Sequence, residues 1–177
     1  MARAASGPTN YDGDFAEFVE ASWAGLYRTA FLLLGDRGLA EDLAQTALAK
    51  TYTAWTRIDD RSAARAYAQR TLINTASSWF RRKGWRNEHP TLDLPEASHG
   101  HDLGGRLEVM DALAQLPPRQ RAVIVLRYYE DLPVAETADA LGCSTGTVKS
   151  QTFEALAKLR ILLGDAELSD ALETDRG

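Results

Sequence analysis

The sequence has few of the features that define several large protein classes. Its 177 residues include a single cysteine, which excludes an internal disulfide and is typical of cytosolic proteins. The longest apolar patch, Phe31–Leu34, ends at Gly35, far short of the ~20 apolar residues that span a bilayer. The N-terminal stretch lacks the apolar segment of a secretion signal. The sequence therefore predicts a cytoplasmic protein without a membrane span.

Catalytic and metal-binding signatures are also missing. There is no Ser-His-Asp set, P-loop or dinucleotide-binding glycine motif, so the sequence predicts neither an enzyme nor a cofactor. His89, His99 and His101 stand among carboxylates without a further nitrogen or sulfur ligand nearby, which argues against a metal site. Cys143 lies in a predicted turn, where we expect it to pack rather than to react.

No stretch alternates apolar and polar residues as a half-buried strand would, whereas helical periodicity is widespread. We predict an all-α protein of two small helical domains joined by a flexible linker. The predicted domains cover residues 12–86 and 106–164, with an acidic linker at 87–105 and an acidic tail at 165–177. The linker holds two prolines, three glycines and four acids, a composition too polar to bury a core.

Helix boundaries follow from caps and breakers. Ser62 is the predicted cap of one helix, and Gly35, Gly84 and Gly142 are the predicted stops of others. The predicted helices run from about Asp14 to Leu34, Leu39 to Trp55, Ala63 to Lys83, Arg106 to Gln115, Pro117 to Tyr129, Pro133 to Leu141 and Thr145 to Leu163.

The net charge of −5 is unfavourable for a nucleic-acid ligand, but the charge is segregated along the chain. Residues 65–86 carry six basic side chains and no acid, whereas 87–118 carry six acids and one base. Such blocks are typical of a nucleic-acid surface beside acidic linkers or tails. A solvated basic helix is the alternative.

The second predicted domain contains a helix-turn-helix. A short helix ends at Gly142, and a longer one begins after Ser144; the second helix of such a pair can enter a DNA major groove. Hydroxyl, cationic and aromatic side chains on its outer face could contact phosphates and base edges, helped by one arginine in the preceding helix. The candidates are Arg127, Thr145, Thr147, Lys149, Ser150 and Phe153. A helical hairpin that binds protein is the alternative.

Two groups of residues resemble bacterial sigma factors. Leu126–Glu130 and Gly146–Ser150 resemble region 4, while Ala40–Gln45, Asn74 and Trp79–Lys83 resemble region 2. The resemblance covers about residues 12–164. It is greatest to the extracytoplasmic-function class, group 4 of the sigma-70 family, which has only these two regions, and within it to the actinobacterial sigma-E branch.

This resemblance implies that the chain binds core RNA polymerase and reads promoter DNA. Asp42 and Gln45 would bind the β′ coiled coil of the polymerase, whose β flap is a further expected contact. Region 4, with the helix-turn-helix residues given above, would read the −35 element. Many members also bind an anti-sigma factor. Region 2 would read and help to melt the −10 element through Tyr67, Arg70, Asn74, Arg81, Arg82 and Lys83, beside a base-pocket loop at Ile58–Ala64.

Gln151 and Glu154 depart from the family pattern, since relatives often have arginine at these positions. A carboxylate near phosphate is repelled, so we expect Glu154 to weaken or change the −35 contact. Two other functions remain open from the sequence: a stand-alone helix-turn-helix regulator that binds duplex DNA without polymerase, and a non-enzymatic interaction or decoy module.

Overall fold

The computed structural model describes residues 11–58, 60–82, 104–165 and 168–169. All elements within these residues are helical, which confirms the predicted all-α class. The predicted linker up to residue 103, Lys83 and most of the predicted tail lie outside the described residues.

The first lobe contains α1 (Tyr11–Leu34), α2 (Arg37–Ala54), short 3₁₀ turns at Trp55–Arg57 and Arg61–Ala63, and α3 (Ala64–Arg82). The second lobe contains α4 (Gly104–Gln115), α5 (Pro118–Ile124), a π-helical turn (Val125–Tyr129), α6 (Val134–Leu141) and α7 (Thr145–Leu163).

Carboxylate caps set two helix starts in the first lobe. Asp36 accepts a hydrogen bond from the Leu39 backbone N–H at 2.8 Å and so begins α2. Asp60 accepts from both the backbone N–H and the hydroxyl of Ser62. The prediction that Ser62 itself caps the third helix is therefore wrong, because Asp60 is the cap residue and the Ser62 hydroxyl is used as a donor to it. The 3₁₀ turn that Asp60 starts leads directly into α3.

A shared apolar core joins the two lobes. Leu33 and Leu43 of the first lobe and Leu126 of the second are almost fully buried in one continuous cluster. Trp55 is 2% exposed, whereas Trp23 and Trp79 are half-buried and pack against the cluster. The lobes are therefore not independent bodies in this structure, although each supplies its own helices to the core.

The second lobe departs from regular α-helix just before the helix-turn-helix. The backbone N–H of Glu130 bonds to the Val125 carbonyl at 2.9 Å, an i to i+5 bond, and Asp131 has a positive φ of 51°. The helix predicted to continue from Pro117 to Tyr129 is thus α-helical only to Ile124 and ends in a π turn. Such turns are often found at functional sites.

Glycine and serine shape the turn of the helix-turn-helix as predicted. Gly142 ends α6 in the left-handed region, with φ 62° and ψ 41°. The N–H groups of Gly142 and Cys143 bond to the carbonyls of Asp139 and Ala138, which is the Schellman pattern. Ala138 and Val148 are buried where α6 and α7 cross. This packing fixes the orientation of α7.

Candidate nucleic-acid interface

The N-terminus of α7 is capped by Ser144. Its hydroxyl accepts from the Thr147 backbone N–H at 3.0 Å and lies 2.9 Å from the Thr147 hydroxyl. Thr147 is half-buried and takes part in the cap, so it shapes the helix end more than it presents a free hydroxyl. A helix N-terminus carries partial positive charge and outward N–H groups that suit a phosphate.

The outer face of α7 presents cationic, hydroxyl and aromatic groups. Thr145, Lys149 and Ser150 are exposed, and Phe153 is 77% exposed. Within the described residues, the Lys149 ammonium makes no hydrogen bond or ion pair. Val148 and the small or apolar side chains further along the opposite face are buried. The arrangement leaves Lys149 and Phe153 available to a ligand in front of the helix.

Arg127 lies in the π turn, before α6. Its Nη1 donates to the Leu132 carbonyl at 2.6 Å, and its guanidinium carbon lies 6.0 Å from the centre of the Tyr128 ring. One arm of the guanidinium thus closes the loop before α6. The group is half-buried, and its other N–H groups are the ones that could reach a phosphate.

A second candidate surface runs along α3. Tyr67, Arg70, Asn74 and Arg81 are spaced by three, four and seven residues, which places them on one side of a helix. All four are exposed, Tyr67 by 42%. The opposite side of α3 is buried in the core through Ala68, Leu72 and Ala76. An aromatic plane, cations and an amide on one strip are the groups that bind single-stranded nucleic acid.

One member of this strip is already engaged by the second lobe. Arg81 Nη1 donates to the carbonyl of Asp139 in α6 at 3.3 Å. The sequence did not predict this contact, because a backbone carbonyl in a distant helix gives no sequence signal. Arg82, beside it, is exposed at the end of α3.

Asp42 and Gln45 lie together on the exposed side of α2. Gln45 donates through Nε2 to Glu41 Oε1 at 3.1 Å, so Glu41 orients the amide, a role the sequence analysis missed. Asp42 and Gln45 line an open groove of about 500 Å³ between α2 and α3, together with Leu39, Trp79 and Arg82. The groove combines an apolar floor with groups of both charges, which suits a partner helix with mixed polarity.

The loop before α3 is held by Arg61. Its Nη1 donates to the carbonyls of Trp55 and Ile58 at 2.8 and 2.9 Å, and its guanidinium carbon lies 4.0 Å from the centre of the Trp55 ring. Hydrogen bonds from Ser62 lower the pKa of Asp60, which keeps the carboxylate cap charged. The sequence predicts this loop beside a bound base, but it contains no signal that marks Arg61 as the residue that fixes the loop's shape.

Comparison with known proteins matches both lobes to one family. Residues 18–86 match the model of sigma-70 region 2, and residues 106–159 match sigma-70, region 4. The chain is 45% identical over 156 residues to the RNA polymerase sigma-E factor of Streptomyces coelicolor, covering 83% of this chain and 84% of that protein. It is 35% identical over 147 residues to the ECF RNA polymerase sigma factor SigL of Mycobacterium tuberculosis, covering 79% and 83%.

A solved structure gives the same result. The structure of this chain resembles that of the sigma factor RpoE in its co-crystal structure with the anti-sigma factor NepR from Bartonella quintana. The TM-score is 0.57 at 26% sequence identity, and the match covers 86% of this chain and 98% of that one.

Fold and surfaces together define an all-helical DNA-binding protein with a helix-turn-helix in its second lobe. The chain belongs to the sigma-70 family, in the extracytoplasmic-function group. It acts as a sigma factor in transcription initiation, with core RNA polymerase and promoter DNA as its partners. None of its described helices is both long and apolar enough to cross a membrane.

Proposed function

We propose that the two exposed surfaces divide promoter recognition between them. The outer face of α7, with Lys149, Ser150 and Phe153, reads the −35 element as duplex in the major groove. The α3 strip reads the −10 element as single-stranded DNA. Support comes from the chemistry of the two faces, since hydroxyls and a lysine suit phosphates and base edges, whereas an aromatic and an amide suit unstacked bases.

Asn74 is the central residue of the α3 strip in this proposal. Its amide has both donors and acceptors, so it can pair with the edge of an extruded base. Extruding a base costs a few kcal/mol of stacking. The neighbouring Tyr67 ring and the Arg70 and Arg81 guanidinium groups offset that cost by stacking and by neutralising phosphates. This chain therefore selects and stabilises the melted strand, while polymerase performs the chemistry of RNA synthesis.

Polymerase binding is assigned to the exposed side of α2. Asp42 and Gln45 would form charge-assisted hydrogen bonds with basic residues of a partner helix in the groove. The observation that carries the proposal is that the α2 surface and the α3 strip adjoin on one lobe. A polymerase bound in the groove would thereby hold melted DNA against the strip.

We propose further that the chain has no catalytic activity and works in the cytoplasm, and that an anti-sigma factor can hold it inactive.

Run-off transcription with core polymerase on a matching promoter tests the proposal. We expect a start-site-specific transcript that is lost with Asp42→Asn but retained with Asp111→Asn, which removes an exposed carboxylate from α4. Absence of a specific transcript with the wild-type chain would reject the proposal. If the protein bound the promoter duplex tightly without polymerase, a stand-alone regulator would be the better description.

A further inference from the structure

The carboxylate of Glu154 is held in a defined position on the exposed side of α7. Its Oε2 accepts a hydrogen bond from Gln120 Nε2 of α5, and the two atoms lie 2.9 Å apart. Gln120 is 4% exposed, so the donor belongs to the buried helix behind α7. The residues that the structure describes offer Glu154 no second hydrogen bond and no ion pair. Its Oε1 therefore remains for a ligand.

Glutamine is a costly residue at this buried position. Gln120 Oε1 is buried without a hydrogen-bond partner, so the amide is paired through Nε2 alone. An unpaired buried polar atom is destabilising, and an apolar side chain of similar shape would avoid that cost. The hydrogen bond to Glu154 is therefore poorly explained by stability. It is better explained if the direction of the Glu154 carboxylate matters for function.

Glu154 lies beside the side chains assigned to reading duplex DNA. Ser150 precedes it by four residues and Phe153 follows Ser150 by three, and residues three or four apart lie on the same side of a helix. Ser150, Phe153 and Glu154 are all exposed, whereas Ala155 is buried. A duplex that covers Ser150 and Phe153 therefore also meets the carboxylate.

An oriented carboxylate can distinguish the bases by their major-groove edges, because it accepts hydrogen bonds and donates none. Guanine presents two acceptors there, thymine one, and adenine an acceptor beside a donor, whereas cytosine presents only its N4 amino donor. A carboxylate thus bonds to cytosine and is repelled by the acceptor edges of guanine and thymine. Discrimination arises as much from the repelled bases as from the accepted one.

We propose that Glu154 is a specificity-determining residue that selects cytosine at one base pair of the −35 element, and that Gln120 is the positioning residue that orients its carboxylate. This assignment rests on the proposed function, in which α7 reads the −35 element as duplex. It concerns the ratio of affinities for different sequences. The negative charge of Glu154 lowers the affinity for every duplex, because phosphates repel it.

A binding scan with the full chain tests the selectivity. Duplexes that carry the −35 element of a promoter transcribed with this chain are changed one base pair at a time, and dissociation constants are measured at one salt concentration. We expect one position at which the wild type prefers cytosine over guanine by about tenfold, as for a well-made base contact. A cytosine analogue without the 4-amino group should lose most of that preference.

Three substitutions of Glu154 separate its charge from its direction. Glu154→Gln should reduce the cytosine preference to about twofold or less, because an amide both donates and accepts, and Glu154→Arg should reverse it toward guanine. Glu154→Asp keeps the charge, but its shorter side chain cannot reach both Gln120 and a base. It should lose the preference while its salt dependence stays that of the wild type. A common change in affinity for all duplexes, with the ratio unchanged, would overturn the proposal.

Gln120→Met tests the positioning role. Methionine fills a similar volume without the amide, so the variant removes the donor and the unpaired buried oxygen together. The cytosine preference should fall severalfold at the position set by Glu154, while preferences at the other base pairs are kept. A merely structural role would change all positions alike, and an unchanged ratio would reject Gln120 as the positioning residue. Glu154→Asp remains informative if this variant misfolds.

Glu136→Gln is the matched control, since it removes an exposed carboxylate from α6 of the same helix-turn-helix. It should leave the cytosine preference unchanged. The proposed function and the role of Glu154 fail separately. If the wild type discriminates at no base pair and Lys149→Ala has no effect, α7 does not read the −35 element. If the wild type discriminates and Lys149→Ala weakens binding, but no preference depends on residue 154, the role of Glu154 alone is rejected.

Discussion

Gln120 of α5 donates through Nε2 to Oε2 of Glu154 on α7, at 2.9 Å. Gln120 is 4% exposed, whereas Glu154 is exposed on α7, so the bond ties the recognition helix to the buried helix behind it. Glu154 stands at a position where relatives often have arginine, and in this chain its carboxylate accepts a hydrogen bond from Gln120. Glu154 stabilises the position of α7 while it reduces the positive charge of the face beside it.

Glu154→Arg should separate these two effects. Loss of the bond leaves the buried Gln120 amide without this acceptor and should lower the free energy of unfolding by about 1 kcal/mol. The added cation should strengthen binding to −35 duplex and raise the slope of log affinity against log salt by up to ~0.9. Urea unfolding and binding titrations at several salt concentrations measure the two quantities.

Glu154→Gln serves as the control, because it removes the charge and keeps an acceptor for Gln120. Its stability should match that of the wild type within error, and its DNA affinity should fall between the other two. If Glu154→Arg weakened DNA binding at every salt concentration, position 154 would not face the phosphates.

Lys149→Ala should weaken binding to −35 duplex, because it removes the exposed ammonium from the outer face of α7. The expected loss is about five- to tenfold near physiological salt, with a salt slope smaller by ~0.9 if the contact is to phosphate. Lys158→Ala, an exposed lysine further along the same helix, should change neither. Equal losses from the two lysines would indicate a general charge effect instead of a defined contact.

Asn74→Ala should lower open-complex formation while duplex binding by the second lobe is retained. The amide on α3 is exposed, so its removal costs the fold little but takes hydrogen bonds from the extruded base. Permanganate reactivity of the melted strand, beside a duplex-binding assay, measures the two steps. Equal loss of both activities would contradict the division of labour between the lobes.

Gly35→Ala should destabilise the protein by roughly 1–3 kcal/mol. A side chain at φ +67° is strained, and the new methyl group would also displace the Arg121 guanidinium. Gly38→Ala is a matched control inside α2, where the Cβ would meet only Asp36 Oδ1 at an ordinary 3.5 Å. That change should be neutral or stabilising, since alanine favours a helix. Chemical unfolding of both variants checks the contrast.

Cys143 should react slowly with iodoacetamide in the folded protein. Burial raises the pKa of its thiol, partly opposed by the nearby Arg119, and a raised pKa means less of the reactive thiolate at any given pH. The pH–rate profile should therefore rise at higher pH than that of an unperturbed thiol, which titrates near ~8.5. A profile equal to that of free cysteine would indicate that the turn is open to solvent.

The helix-turn-helix was predictable because its signals are local. Gly142 ends α6 in the left-handed conformation and Ser144 caps α7, both within a few residues of the structure they determine. Side chains predicted to contact polymerase or DNA are mostly exposed, and their roles remain predictions.

The contacts between the lobes could not be predicted in the same way. Arg121 stands in a charged run that resembles a solvated surface, yet it is buried against Gly35, 86 positions earlier. Glu130 and Gln69 are polar residues whose partners lie in other helices. The π turn depends on an i to i+5 bond that has no distinct residue preference, so the continuous helix predicted there was incomplete.

The contact of the Arg121 guanidinium with Gly35 restricts how the two lobes of this protein can be exchanged with those of a relative. A chimaera that takes its first half from a protein with a side chain at the position of Gly35 has no room for this guanidinium. A chimaera that takes its second half from a protein without the arginine loses the hydrogen bond that Arg121 Nη2 donates to the Leu34 carbonyl at the end of α1. The two lobes of this chain are therefore not freely exchangeable, and a working hybrid must keep Gly35 and Arg121 together.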